Sequence, residues 1–349
     1  MLKIKAFIDR NALVLAMLIG AVGYPWFRHL TWLLPPLIFM MLFFTFCKVN
    51  PLDLRLHAWH WIVLGLQMVL TGAVYYGLLY GLNAVADRWR IAQNDIAIIT
   101  QGIMICIIMP TATAAPIIAG KLGGSIQNLT TFTLLSNVAT AIVVPAFFPI
   151  VNPTSGIHFV EASWLILCKV APLLLGPFVA AWLLRLGYNG WQKHKGTGKT
   201  FSLSRTWAAM PFYLWAATLI LLMADLTYTL VTQQYNWWTV LALCVGALVT
   251  FWMQFLIGRQ VGYHFPAPNR GEDYHDVLIN PEAAHYTMPQ VSRITAGQAF
   301  GQKNTTLGVW MAQTYLQPMA AIGPAAYILV QNIINNMQLV IAAKRKDGK

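Results

Sequence analysis

Ten stretches of this sequence stay apolar for about the length a helix needs to cross a bilayer, roughly 20 residues, and that feature restricts the chain to a bundle of membrane-spanning helices. They fall at about 11–27, 30–49, 58–82, 95–121, 125–151, 160–186, 206–231, 237–260, 292–317 and 319–343. Only 10% of the 349 residues are charged and 58% are hydrophobic, whereas soluble domains carry about 25% charge. The first segment, "MLKIKAFIDRNALVLAMLIGAVG", has the basic opening of a signal peptide. It lacks a clear small-residue cleavage site and further spans follow at once, so it reads as a first membrane helix.

The net charge of +12 would suggest a nucleic-acid partner in a soluble chain. Ten spans place both termini on one side. Assigning that side to the cytoplasm puts eighteen Lys and Arg inside and leaves only Arg28, Arg88 and Arg90 outside. The basic balance is therefore topology, which predicts an integral protein of the plasma (inner) membrane with cytoplasmic termini and no nucleic-acid partner. Trp26, Trp32, Trp59, Trp191, Trp237 and Trp238 fall near predicted span ends, as an interfacial aromatic belt would place them. Cys47, Cys106, Cys168 and Cys244 lie inside apolar segments and read as packing residues. The longest connection, 262–291, carries His275, Asp276 and His285 at a spacing that fits no metal-ligand pattern, so it reads as a solvated loop and no metal is expected.

Two of the apolar segments are interrupted. The stretch "MPTATAAPIIAGKLGG", Met109 to Gly124, holds two prolines that each remove a backbone donor, so the helix must open between Pro110 and Pro116. "GQAFGQKNTTLG", Gly297 to Gly308, interrupts the ninth segment. At 1.5 Å per residue Thr113 lies ~12 Å and Lys303 ~16 Å from the same face, so both openings sit near mid-membrane. Thr133, Asn137, Gln331, Asn332, Asn335 and Asn336 fall in the same band. The third segment of each half carries a mid-helix glutamine, Gln67 and Gln254. Five spans followed by five suggest an internal duplication, and an odd-numbered unit must insert its second copy upside down, giving inverted repeats 1–153 and 154–349. Opened half-helices also offer charge, partial positive at their N-termini and partial negative at their C-termini, which can hold a small anion and a cation side by side.

These residues carry a family resemblance. "PTATAAPIIAGKLGG" resembles the fourth helix of the bile acid:sodium symporter family, "GQAFGQKNTTLG" its ninth and "GPAAYILVQNIINN" its tenth. The resemblance implies an all-α membrane fold of ten helices, with interrupted helices four and nine crossing in a core domain (58–151 and 237–343) packed on a panel domain (11–49 and 160–231). It implies an organic anion as substrate, sodium sites beside the crossover, and no organic cofactor. Thr113, Thr133 and Asn304 match the family's crossover polar residues, Gln67 its third-helix sodium-site glutamine, and Asn332 the tenth-helix asparagine near the substrate. The departures are specific. Ala115 and Pro116 stand where the family has serine and asparagine, Ala299 where it has a glutamate shared by both sodium sites, and Lys303 where it has a glutamine. Sodium needs several oxygen ligands and usually a carboxylate, and none of the eleven acidic residues falls in the predicted crossover. The vestige of the ion sites comprises Gln67, Ala115, Pro116, Thr133, Ala299, Gln302 and Lys303. The expected substrate contacts are Thr113, Lys303, Asn304, Gln331 and Asn332.

A charged lysine at mid-bilayer costs at least ~3 kcal/mol on insertion scales. Three roles for Lys303 are open from the sequence: a fixed cation replacing sodium, a counter-ion for a substrate carboxylate, or a titrating group that couples protons. Lys169 and Asp225, the other charges inside spans, are expected to pair with each other. The functional expectation is a secondary transporter of an organic anion, bile-acid-like or a smaller carboxylate, not sodium-coupled in the family's usual way. An uncoupled channel or ligand-sensing receptor on the same scaffold is the alternative. An intramembrane enzyme finds no HExxH, G-x-S-x-G or intramembrane aspartate pair to support it.

Overall fold

Hydrocarbon offers the backbone no partners, so a chain this apolar satisfies its peptide groups inside helices, and the computed structural model is helical throughout, with no strand among the described residues. It describes residues 14–50, 54–153, 156–196, 200–233, 235–267, 282–283 and 286–347, the side chains of 205 and 343–347 excepted. The metal-ligand candidates His275, Asp276 and His285 lie outside these residues.

Helical residues 14–22 lead into α1 (Tyr24–Phe27), a 3₁₀ segment (Arg28–Leu33) and α2 (Leu34–Phe46). There follow α3 (Ala58–Trp89), α4 (Gln93–Ile108), α5 (Ala115–Lys121), α6 (Ile126–Val151), α7 (Phe159–His194), α8 (Arg205–Thr232) and α9 (Trp237–His264). The chain ends with α10 (Met288–Gly301), α11 (Thr305–Tyr315), a 3₁₀ turn (Pro318–Ala321) and α12 (Ile322–Asp347). Among the described residues seven helices are long and apolar enough to cross a membrane, which makes this an integral membrane protein. The expected spans at 95–121 and 292–317 are each divided, into α4 with α5 and α10 with α11.

The chain divides into two compact units, one of residues 1–51 and 153–235 and one of 52–152 and 236–349. In the first, α2 packs against α7 and α8. Phe44 stacks on Trp207 at 5.5 Å and Phe46 meets Phe178 edge-on at 5.7 Å. The Arg185 guanidinium donates to the Cys47 carbonyl at 3.1 Å, closing the C-terminal end of α2. The expected Lys169–Asp225 pair is absent among the described residues: Lys169 is exposed on α7, Asp225 is half-buried on α8, and no ion pair joins them.

The second unit buries amides within an apolar core and leaves further large apolar side chains on its outside. Gln67, Gln254, Asn137 and Ser136 are fully buried, while Val69, Tyr80 and Ile333 are exposed. Its tightest seam joins α9 to α10 through glycines spaced by four. Gly258 and Gly262 press against the backbone of Ala296 and Ser292, and Gly297 and Gly301 against the side chains of Arg259 and Phe255. Lipid gives no hydrophobic drive for helix pairing, so close backbone approach through small residues supplies the van der Waals contact instead.

Two expectations about buried positions need correction. Trp59 is 0% exposed and stacks on Phe132 at 5.5 Å, so it belongs to the core and not to an interfacial belt, whereas Trp26, Trp32, Trp191, Trp237 and Trp238 are exposed. Cys47 and Cys106 are buried, but Cys168 and Cys244 are exposed, because a thiol is apolar enough to face lipid as readily as core.

The glycine seam is testable by overpacking. Gly262→Leu is expected to lower the thermal midpoint in detergent, since inserted methylenes without space cost about 1–3 kcal/mol. Gly65→Ala in α3, where an added Cβ meets nothing within 4 Å, is expected to be neutral or stabilising.

Candidate functional site

Pro110 has no N–H, and the residue before it is driven out of the helical region, so Met109 adopts ψ 146 and α4 ends. The carbonyls of the last turn then lose their donors, and each unsatisfied group inside the membrane costs several kcal/mol. The fold supplies replacements one by one. The Cys106 carbonyl accepts from Gln254 Nε2 at 3.2 Å. That of Ile107 accepts from Gln67 Nε2 at 3.0 Å and Lys303 Nζ at 3.0 Å. Ile108 accepts from Gln67 Nε2 at 3.1 Å and Thr140 Oγ1 at 3.3 Å, Met109 from Gln67 Nε2 at 3.1 Å, and Pro110 from the Asn304 N–H at 2.7 Å.

The second interruption is resolved against the first. α10 ends at Gly301, Gln302 is extended, and Thr111 and Lys303 form an isolated antiparallel bridge before the chain turns at Asn304, where the Thr305 N–H donates to the Lys303 carbonyl at 2.9 Å. The Ala112 N–H donates to the Gln302 carbonyl at 2.9 Å, completing a two-bond clasp with Asn304 N–H to Pro110. Thr111 adds a third tie, its hydroxyl donating to the Ala299 carbonyl at 2.7 Å, while its own N–H donates to Ser136 Oγ at 3.1 Å. Tyr327 donates to the Gly301 carbonyl at 2.8 Å.

α12 seals the other flank with amides on one stripe. Gln331 accepts from the Lys303 N–H at 3.0 Å and donates to the Lys303 carbonyl at 3.3 Å, so one side chain satisfies both peptide groups of that residue. Gln302 and Asn335 exchange bonds at 2.6 and 2.8 Å, and Gln298 donates to Gln338 at 2.7 Å. Asn332 and Asn336 lie to one side of this stripe, half-exposed and exposed respectively, and Asn332 donates to its own helix at Ile328.

The side chains singled out by sequence are therefore distributed unevenly. Lys303 is 1% exposed, with Nζ on the Ile107 carbonyl and 5.0 Å from the Phe300 ring centroid, a face that attracts cations. Its Nζ lies at the C-terminal end of α4, where the helix carries partial negative charge. Asn304 caps α11, accepting from the Leu307 N–H at 3.3 Å, and its buried Nδ2 has no partner. Thr113 is half-exposed in the opened turn. Thr133 turns its hydroxyl onto the Leu129 carbonyl of its own helix at 2.9 Å. Ala115 and Ala299 are fully buried methyl groups, and Pro116 occupies the first turn of α5, where its missing N–H is harmless. Thr111, Ser136, Thr140 and Tyr327 join the crossover without having been singled out; the one signal for Thr111 is its place directly after Pro110.

Sodium does not fit this donor set. The carbonyls at 106–109 already receive amide, hydroxyl and lysine amine hydrogens, and the position expected to carry a carboxylate holds the methyl of Ala299. No group of three His, Cys, Asp or Glu among the described residues could hold a metal ion. Comparison with known proteins finds no matching family model and no matching curated protein.

The third tie of the clasp gives a direct test. Thr111→Val keeps the shape but leaves the Ala299 carbonyl without that donor, which is expected to cost about 1–3 kcal/mol and lower the thermal midpoint by several degrees. Thr133→Val, which removes only a bond within one helix turn, is expected to change it far less.

Proposed function

We propose that this chain is a secondary transporter that carries an organic anion, a bile-acid-like sterol or a smaller carboxylate, by alternating access. We read its spans as ten, in two inverted five-helix repeats, in the plasma (inner) membrane with both termini cytoplasmic. The observation that carries the reading is the bridge between Thr111 and Lys303. Two helices broken inside one membrane unit hold each other's open peptide groups, and irregular backbone at that depth belongs to substrate sites in transporters.

Three features support an anion. The N-terminus of α11 presents partial positive charge, the buried Asn304 Nδ2 beside it is a donor without a partner, and Thr113 and Asn332 are half-exposed polar side chains. Lys303 acts as a resident cation, held on the Ile107 carbonyl where a mobile ion would otherwise balance the half-helix end. Uptake then needs neither a sodium nor a proton gradient, and net movement follows exchange of one anion for another.

The deciding experiment is counterflow into vesicles of the reconstituted protein preloaded with unlabelled carboxylate. Transient accumulation of labelled carboxylate is expected, unchanged when potassium replaces sodium or an uncoupler is added. Flux without counterflow would mean a channel, and binding without flux a ligand-sensing receptor, the second reading that the methyl of Ala299 at the expected carboxylate position favours. Dependence on either ion gradient would overturn the resident-cation role of Lys303. Thr113→Val is expected to weaken carboxylate binding about tenfold, the loss of one bond to a charged group, with the thermal midpoint of the empty protein unchanged.

A further inference from the structure

Two arginines lie on facing stripes of the α9/α10 seam, Arg259 over Gly297 and Arg293 one turn before that glycine, and neither takes part in the crossover. Arg259 on α9 lays its stem over Gly297, where the lack of a side chain leaves room. Arg293 on α10 brings its guanidinium carbon to 5.9 Å from the Tyr263 ring centroid, and that of Arg259 lies 5.5 Å from the Phe255 ring. The two like charges repel each other. Nε of Arg293 is buried without a hydrogen-bond partner, and no carboxylate among the described residues pairs with either guanidinium. A buried orphan donor in a doubly cationic spot marks a missing acceptor.

The depth and surroundings say which acceptor. Arg259 precedes the end of α9 at His264, and Arg293 follows the start of α10 at Met288, each by about 7.5 Å of helix. α9, with 28 residues, is about 42 Å long against a hydrocarbon core of about 30 Å. That depth is where acyl chains give way to phosphates. Trp252, Leu256, Arg259 and Tyr263 recur at helical spacing on one stripe of α9, and Trp252, Leu256 and Tyr263 are exposed at 39%, 53% and 45%. The stripe thus runs from an apolar surface suited to an acyl chain up to the guanidiniums. Free phosphate would use only its upper end.

We propose that Arg259 and Arg293 form a site for the phosphate of an anionic membrane phospholipid, with an acyl chain lying along Leu256 and Trp252. Guanidinium forks match phosphate oxygens in pairs, and the phosphate supplies the acceptor that Arg293 Nε lacks.

The test uses the full chain purified in a maltoside detergent, titrated separately with phosphatidylglycerol, phosphatidylcholine and inorganic phosphate. Binding is followed by thermal unfolding and by native mass spectrometry of retained lipid. Phosphatidylglycerol is expected to raise the midpoint and stay bound, while the other two do neither at equal concentration. Arg259→Gln and Arg293→Gln are each expected to weaken phosphatidylglycerol binding about fivefold, equivalent to ~1 kcal/mol. If the glutamine variants do not fold, Arg293→Lys keeps the charge and loses the fork, and it must still bind more weakly. Unchanged binding by these variants overturns the site, as does an equal shift with inorganic phosphate or phosphatidylcholine. No phosphatidylglycerol shift in the wild-type chain also overturns it and assigns the arginines to carboxylates of the chain itself.

Discussion

A peptide group that leaves its helix inside a membrane must find another partner, because the surrounding lipid has none to give. That requirement organises the second unit. Once Pro110 ends α4, five consecutive carbonyls, Cys106 to Pro110, need donors, and they draw Gln67, Gln254, Thr140, Lys303 and the backbone of Asn304 into one place. The helices that carry these residues are positioned by this demand as much as by packing.

The replacements are mostly donors, which leaves a one-sided electrostatic environment. Gln67 and Gln254 commit their amide nitrogens to the α4 carbonyls, and both Oε1 atoms remain buried without partners. The Lys303 amine joins these oxygens at the negative end of the helix, its Nζ donating to the Ile107 carbonyl at 3.0 Å. The same residue is pinned through its backbone, to Gln331 on one side and to Thr111 by the bridge. Its side chain reaches the α4 carbonyls because its main chain is locked beside them.

α9 is the scaffold for this arrangement. Its glycines bring α10 close enough for Gly301 to abut Phe255, and its Gln254 reaches both the Cys106 carbonyl and the Tyr327 hydroxyl, which in turn holds the Gly301 carbonyl. One helix therefore fixes where α10 stops and how α4 ends. The same close approach lays the Arg259 stem over Gly297, one turn from Arg293, a consequence of small residues on facing helices.

Length and proline chemistry were legible in the sequence by themselves: apolar runs, seven of which form helices long enough to span among the described residues, a forced opening between Pro110 and Pro116, and a second opening around Lys303. These are local properties, set by rise per residue and by a missing N–H. Facing was not legible. Thr111 and not Thr113 ties the two breaks together, Thr133 turns onto its own helix, Trp59 is core and Cys168 is outside. In water an apolar stripe marks the buried side of a helix, but lipid and core are both apolar, so periodicity carries little orientation. Which side chain meets which broken peptide is decided only when the helices pack, because each orphaned group takes whatever donor the neighbouring helix brings within about 3 Å.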